Sequence, residues 1–85
     1  MDIERIIEQH IVDELLLGKR TSVGVNDSLV AGGILDSLTL LELIAFVERR
    51  FGITVDEREM SVDNFQTIAH VRRLIDAKLG AGGQR

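Results

Sequence analysis

The sequence predicts an all-α fold, a small up-down bundle of three to four helices with a long first loop. Its first and last segments carry apolar residues at spacings of three and four, the period of an amphipathic helix, and a middle segment is apolar over most of its length. A chain of 85 residues has room for one hydrophobic core. We therefore expect a folded domain over residues 1–79 and a flexible C-terminal tail over residues 80–85.

The first helix is predicted from Asp2 to about Leu17, where Gly18 ends the apolar periodicity. Residues 19–35 have neither helical nor strand periodicity and contain three glycines, which predicts a loop. This loop is longer than most connections within a domain. We expect its apolar residues to pack across the helix ends and to fix the approach to the second helix.

The second helix is predicted from Ser37 or Leu38 to about Phe51, with Gly52 after its end and Asp36 as its N-cap. Its apolar residues are too numerous for one face. The helix is therefore either deeply buried or leaves an apolar strip exposed. Leu38 is a core residue under the first alternative and a contact residue under the second.

The last helix is predicted to begin after Thr67 and to end at Gly80. Before it, Ser61 is placed to cap a short helical turn that reaches Phe65. These elements close the bundle.

Ser37 is the candidate functional residue, because its hydroxyl lies where a glycine-containing loop meets a helix. Gly32 and Gly33 allow backbone angles that other residues avoid. A phosphate ester on Ser37 would lie near unpaired amides and the positive end of the helix dipole, without a lysine or arginine. The local chemistry permits a phosphate-linked group but does not demand one.

The composition excludes several classes of function. The absence of cysteine excludes disulfides, thiolate metal sites and a cysteine nucleophile, so any thiol chemistry needs an imported thiol. His10 stands without a second histidine or a cysteine at helical spacing, and we expect no metal. The net charge of −4 disfavours nucleic acid and anionic membranes, and no apolar run is long enough to insert into a membrane. The N-terminus lacks the pattern of a secretion signal, which predicts a cytoplasmic protein.

A set of short motifs follows a fixed order between Asp27 and Ile75. The motifs are Asp27-Ser28-Leu29, Asp36-Ser37-Leu38, Glu42-Leu43, Phe51-Gly52-Ile53 and Asn64-Phe65-Gln66-Thr67-Ile68. This set resembles the phosphopantetheine-dependent carrier proteins, that is, the acyl, peptidyl and D-alanyl carriers. The resemblance implies an acyl-carrier-protein-like fold and a covalent 4′-phosphopantetheine, derived from coenzyme A, on Ser37 beside the helix cap Asp36. It also implies a thioester-bearing substrate holder rather than an enzyme, with no catalytic residues.

The resemblance further implies partners and the residues that contact them. The expected partners are a phosphopantetheinyl transferase, an acyl- or aminoacyl-activating ligase and downstream acyl-using enzymes, which meet a monomeric carrier. Leu38 and Glu42 are the predicted docking residues. Met60 and Phe65 belong to the turn that lies beside the arm in this family, and they are further docking candidates, with core packing as the alternative for Phe65.

Two departures indicate which kind of carrier the chain resembles. Thr39 stands where many fatty-acid carriers have a second acid, and Arg49 and Arg50 follow the acidic Glu48. Complementary charge selects partners, so the pattern favours a free-standing aminoacyl or specialised acyl carrier over a fatty-acid carrier. Cell-wall D-alanylation, an amino-acid-loading system and specialised acyl biosynthesis all stay open.

Three other classes of function compete with the carrier. Hydrolysis by Ser37 would need a triad context that neither His10 nor His70 provides. A DNA-binding helix-turn-helix would need a basic reading face, which no predicted helix has. The main alternative is an unmodified helical adaptor for protein–protein interaction, in which Ser37 is an ordinary helix-start residue.

Overall fold

The computed structural model describes the backbone of residues 2–83 and the side chains of residues 2–80. Its three α-helices are α1 (Ile3–His10), α2 (Ser37–Phe51) and α3 (Ile68–Gly83). A π-helical segment, Ile11–Leu15, continues α1, and two 3₁₀ turns, Glu57–Glu59 and Val62–Phe65, lie between α2 and α3. No strand occurs in the described residues. The predicted all-α class is confirmed.

The helices and the loop before α2 share one hydrophobic core. Ile7 of α1, Leu43 of α2 and Val71 of α3 are completely buried, and so is Leu29 of the loop. The full set of buried hydrophobic residues is Ile3, Ile7, Ile11, Val12, Val23, Leu29, Ile34, Leu35, Leu43, Ile44, Val47, Phe51, Val55, Phe65, Ile68, Val71, Leu74 and Ile75. Because the loop contributes to this core, the approach to α2 is held by packing as well as by backbone hydrogen bonds.

The first helix is divided, which differs from the continuous helix predicted to Leu17. After His10 the chain widens into the π-helical segment, in which the Leu16 amide donates to the Ile11 carbonyl five residues back, at 2.9 Å. Leu17 and Gly18 then take positive φ angles of 53° and 77°. The last π-helical residue is Leu15, two residues before the predicted end, and the Gly18 amide donates to the Val12 carbonyl at 2.9 Å. The apolar spacing does not reveal the π-helical turn, because Ile7, Ile11 and Leu15 keep the spacing of four that an α-helix also shows.

The loop over residues 19–35 is connected by hydrogen bonds to residues that come after α2 in the sequence. The Leu29 amide donates to the Gln66 carbonyl at 2.7 Å, and the Ala69 amide donates to the Val25 carbonyl at 3.0 Å. These bonds tie the loop to the second 3₁₀ turn and to the start of α3. The expectation that the loop packs across the helix ends is confirmed.

The 3₁₀ turns between α2 and α3 are fixed from the end of α3. Lys78 Nζ lies 2.7 Å from Glu59 Oε1, and the same carboxylate oxygen accepts the Asp56 amide at 2.9 Å. The Lys78 hydrogen bond lowers the pKa of the Glu59 carboxyl, and the Glu59 hydrogen bond raises the pKa of the Lys78 ammonium. Asn64 Nδ2 donates to the Glu59 carbonyl at 3.0 Å, which joins the first turn to the second.

Helix α3 begins as predicted but ends later. The Thr67 hydroxyl accepts the His70 amide at 3.1 Å, so Thr67 caps the helix start. Gly80 was predicted to end the helix, but α3 continues through it to Gly83. Glycine costs only about 1 kcal/mol inside a helix, and it ends one where it takes a positive φ, as Gly52 does and Gly80 does not. The predicted tail of residues 80–85 therefore starts inside α3, and residues 84 and 85 lie outside the described residues.

Candidate functional site

Ser37 is the first residue of α2 and is exposed, and the start of this helix is closed by a reciprocal cap. Asp36 Oδ1 accepts the amides of Leu38 at 3.0 Å and of Thr39 at 2.9 Å. In return, Thr39 Oγ1 accepts the Asp36 amide at 2.8 Å. The Thr39 amide, with the Thr39 hydroxyl and the Leu38 amide, lowers the pKa of the Asp36 carboxyl. The predicted helix start and its Asp36 cap are confirmed.

This cap changes how a phosphate on Ser37 would be held. A phosphate was expected to lie near free amides, but Asp36 already occupies those of Leu38 and Thr39, and the Leu40 amide donates to the Asp36 carbonyl at 2.9 Å. The ionised Asp36 carboxylate also disfavours a second anion beside it. A phosphodiester on Ser37 would therefore point outward, with the helix dipole as its main local stabilisation.

The role of Thr39 was missed in the sequence analysis, where it counted only as a missing acid. Its hydroxyl also lies 3.3 Å from the Ile34 carbonyl, so it connects the helix start to the preceding loop. A detectable signal existed in the sequence. A hydroxyl residue three positions after an N-cap can close a capping box from the helix side.

The two glycines before the site serve different purposes. Gly33 has a positive φ of 80°, as predicted. Gly32 has no positive φ. A β-carbon added at Gly32 would lie 2.4 Å from the Ser28 carbonyl oxygen, which is closer than a real β-carbon approaches another atom. After them the amides of Ile34 and Leu35 both donate to the Leu29 carbonyl, at 2.8 and 2.9 Å. The residues leading into Asp36 are thus held by backbone contacts on one buried residue.

The chain contains a second Asp-Ser-Leu triplet, at residues 27–29, and its environment differs from that of Ser37. Ser28 Oγ accepts the Ala31 amide at 3.1 Å, so this hydroxyl caps a turn in the loop. The Asp27 carboxylate accepts the Gly24 amide at 2.9 Å, and Leu29 is completely buried. The same three residues therefore build a loop turn at one place and an exposed helix start at the other.

An apolar cavity of 220 Å³ lies against Ser37. Its walls come from the loop, from α2 and from the second 3₁₀ turn, and they are formed by Val30, Leu35, Asp36, Ser37, Leu40 and Val62. The second 3₁₀ turn is therefore brought beside Ser37. Of the residues predicted in that region, Phe65 is completely buried and belongs to the core, so it does not offer a docking surface. Met60 is 38% exposed and does not line the cavity.

The outward face of α2 carries the predicted contact residues. The side chain of Leu38 is 74% exposed and that of Leu41 is 57% exposed, and Glu42 is also exposed. Helix α2 thus leaves an apolar strip open, and the interpretation of Leu38 as a core residue is wrong. The Glu48 carboxylate does not belong to this exposed face. Its Oε2 accepts the Val55 amide at 2.9 Å in a half-buried position.

A second groove, of 330 Å³, lies between α1 and α2 and was not predicted. Its lining includes His10 and Phe46, whose rings stack at a centroid distance of 3.8 Å and an interplanar angle of 10°. His10 Nε2 is buried and has no hydrogen-bond partner. Burial lowers the pKa of His10 and Arg49 acts in the same direction, while the surrounding carboxylates of Glu14, Glu42 and Asp13 oppose this shift. Neutral His10 therefore acts as a flat packing residue between the two helices.

Neither a metal-binding group of side chains nor a membrane-spanning helix is found in the part of the chain that the structure describes. No group of three or more histidine, aspartate and glutamate side chains in residues 2–83 is placed to hold a metal ion. None of the helices described is long and apolar enough to cross a membrane. His70 Nδ1 lies 2.6 Å from Thr67 Oγ1, so both histidines are engaged away from the start of α2.

The fold and this helix start are those of a small helical carrier domain. A family model described as the phosphopantetheine attachment site matches residues 6–75, which is most of the chain. The chain belongs to this family, in which the domain carries a covalently attached 4′-phosphopantetheine group. The family resemblance and the cofactor predicted from the sequence are confirmed.

The comparison with solved structures finds three chains that match, and one of them is described here. The chain is similar to a chain in a crystal structure described as that of an FAD-dependent dehydrogenase, with 30% sequence identity and a TM-score of 0.74. The similarity covers 81% of this chain and 97% of that one, so the two are of comparable length. The description belongs to that structure and assigns no flavin chemistry to the present chain. No curated protein matches the chain significantly.

Proposed function

We propose that Ser37 is the attachment point of the 4′-phosphopantetheine arm, and that the chain carries an acyl or aminoacyl group on this arm as a thioester. The supporting observation is the exposed Ser37 hydroxyl at the capped start of α2, within the residues that match the family. The arm supplies the thiol that a chain without cysteine lacks. We expect the protein to function in the cytoplasm, where coenzyme A is available.

The attachment step needs only an accessible hydroxyl from this chain. A phosphopantetheinyl transferase would direct Ser37 Oγ onto the phosphorus of coenzyme A that bears the pantetheine. A P–O bond forms to Ser37, the pyrophosphate P–O bond breaks, adenosine 3′,5′-bisphosphate leaves and the hydroxyl proton passes to a base. The Asp36 cap holds the first turn of α2 so that Ser37 faces the transferase.

The surroundings of Ser37 fit a tethered apolar group. The 220 Å³ cavity beside Ser37 is walled mainly by Val30, Leu35, Leu40 and Val62. Apolar parts of the arm or its cargo would lose water-exposed surface there, which is worth about 25 cal/mol per Å². The exposed Leu38 is placed to enter a partner surface, and a flexible arm raises the effective concentration of the cargo at a docked enzyme.

We propose a holder rather than a catalyst. General-base activation of Ser37 would need a neighbouring base, and the two histidines are instead paired with Phe46 and Thr67. The pathway of this carrier is defined by three things: the acid that it carries, the ligase that loads this acid and the enzymes that use it. The solved structure described as an FAD-dependent dehydrogenase makes flavoenzymes one class to test among the downstream enzymes.

The intact mass of the purified protein tests this function. It is measured before and after incubation with a broad-specificity phosphopantetheinyl transferase, Mg²⁺ and coenzyme A. We expect a gain of one phosphopantetheine unit in the wild type, none in Ser37→Ala, and the full gain in Ser28→Ala. Ser28 is the matched control because it has the same neighbours in sequence and a different environment.

Two results would contradict the proposal. A gain that persists in Ser37→Ala would move the attachment to another residue. No gain in the wild type, under conditions that modify a known carrier, would leave the unmodified helical adaptor as the better explanation of the exposed α2 face.

A further inference from the structure

The start of α2 contains two adjacent residues that could each cap the helix. Aspartate and serine are both strong N-cap residues, and their strengths are about equal. In the structure Asp36 is the cap, with extended backbone angles of φ −123° and ψ −169°. If the helix began one residue later, Ser37 would be the cap, and its hydroxyl would accept an amide of the first turn, such as that of Leu40. The preference of the two residues therefore does not decide which of them caps α2.

The hydroxyl of Thr39 favours Asp36 as the cap. Thr39 Oγ1 accepts the Asp36 amide at 2.8 Å, and it lies 3.1 Å from Asp36 Oδ1 and 3.3 Å from the Ile34 carbonyl oxygen. The hydroxyl has one proton, so it donates to one of these two oxygens at a time. For a cap on Ser37, the third residue of the helix would be Leu40, whose side chain accepts no hydrogen bond. A capping box can therefore close on Asp36 but not on Ser37.

A cap on Asp36 leaves the Ser37 hydroxyl available. Ser37 is exposed at the first helical position, and among the described residues its Oγ has no hydrogen-bond partner. A hydroxyl that caps a helix is held against a backbone amide, and this bond must break before the oxygen can attack phosphorus. The position of the cap therefore affects how readily Ser37 is modified.

The first Asp-Ser-Leu triplet provides a comparison within the same chain. It is followed by Val30, whereas the second triplet is followed by Thr39. The Asp27 carboxylate accepts an amide that precedes it in the chain, and the Ser28 hydroxyl accepts the Ala31 amide, three residues later, at 3.1 Å. In the triplet without a following threonine, the serine hydroxyl is thus used as a cap.

We propose that Thr39 is a positioning residue for the modification of Ser37, because its hydroxyl fixes the helix cap on Asp36 and so keeps the Ser37 hydroxyl free to react. This inference rests on the carrier function proposed above. Thr39 is half-buried, and its hydroxyl lies against Asp36 and the Ile34 carbonyl. It therefore acts through the start of α2 and not by contact with the transferase.

The test is a competition for modification. Isotopically labelled wild type and one unlabelled variant are incubated together with a broad-specificity phosphopantetheinyl transferase, Mg²⁺ and coenzyme A. Intact mass follows both products, and the ratio of their rates is the ratio of the two kcat/KM values. The test variant is T39V, which removes the hydroxyl, keeps the branched shape and reproduces the Asp-Ser-Leu-Val sequence of residues 27–30.

Two further variants serve as controls. T39S keeps the hydroxyl and should rescue the loss seen in T39V. T67V is the matched control, because Thr67 is also half-buried and its hydroxyl accepts the His70 amide at the start of α3. Circular dichroism establishes that each variant is folded. If T39V does not fold, T39A replaces it with the same expected results.

We expect T39V to lower kcat/KM about threefold, because two caps of similar strength then share the population and the residue before Ser37 is held less firmly. T39S and T67V should stay within about 1.5-fold of the wild type. In nuclear magnetic resonance spectra of the unmodified protein, the Ser37 Cα and Cβ chemical shifts should move from helical towards extended values in T39V. They should not move in T67V, since only a cap residue of α2 becomes extended.

The outcomes separate this inference from the carrier function. A kcat/KM for T39V within about 1.5-fold of the wild type would overturn the positioning role, as would a T39S as slow as T39V. Equal losses in T39V and T67V would also overturn it, because they would reflect lower stability. A loss in T39V with unchanged Ser37 chemical shifts would make Thr39 a direct contact of the transferase, against the inference. A wild type that gains no phosphopantetheine refutes the carrier function instead, and the chemical shifts then still test where the cap lies.

Discussion

Replacing Glu48 by alanine should destabilise the fold. The Glu48 carboxylate accepts the half-buried Val55 amide at 2.9 Å. Its removal deletes a charge-assisted hydrogen bond and leaves that amide without a partner, for which we expect a loss of about 2 kcal/mol in the free energy of unfolding. With an entropy of unfolding of about 2.1 cal/mol/K per residue over 85 residues, this loss lowers Tm by about 11 °C.

Thermal unfolding of the unmodified protein, followed by circular dichroism, measures this shift. Glu48→Gln keeps a neutral acceptor and should lose less stability than Glu48→Ala. Glu42→Ala is the matched control, because Glu42 is exposed on the same helix and should change stability by less than about 0.5 kcal/mol. A Tm for Glu48→Ala within about 3 °C of the wild type would refute the argument and indicate that the Glu48 carboxylate is solvated.

Two further predictions concern the packing around α2. Because burial lowers the pKa of His10 below 6.5, the unfolded chain takes up the proton first, and the free energy of unfolding should decline as pH falls below 6.5. Urea unfolding between pH 8 and pH 5 should show this slope in the wild type and a smaller one in His10→Phe, which keeps a ring against Phe46; equal slopes would exclude His10 as the cause. Gly32→Ala should cost about 1–3 kcal/mol, because its β-carbon would meet the Ser28 carbonyl, whereas Gly80→Ala should stabilise α3 by about 0.5–1 kcal/mol. Urea unfolding of both variants checks this pair, and a stable Gly32→Ala would show that the turn yields easily.

The start and end of α2 could be predicted because both are encoded locally. Asp36 caps amides two and three residues away, and Gly52 takes the left-handed conformation directly after the last helical residue. A motif of this kind needs only residues within one turn, so its spacing in the sequence carries the information. The exposure of Leu38 was one of two stated alternatives, since an excess of apolar residues shows that some are exposed but not which.

The features that were missed depend on segments that meet only in the folded protein. Glu48 reaches Val55 seven residues later, and His10 stacks on Phe46 of another helix. Residue type alone classifies an acid on a helix as solvated and a lone histidine as a boundary residue. The later end of α3 was missed for another reason, because a glycine ends a helix only where its φ becomes positive.

The hydrogen bond from the Leu29 amide to the Gln66 carbonyl joins residues on either side of α2 in the sequence. The segment between them, which includes Ser37 and the whole of α2, is a closed stretch of chain whose two ends meet at this hydrogen bond. Closing such a loop costs chain entropy before its contacts compensate, so this contact forms late relative to local helix turns. During synthesis, this hydrogen bond can form only after Gln66 has left the ribosome.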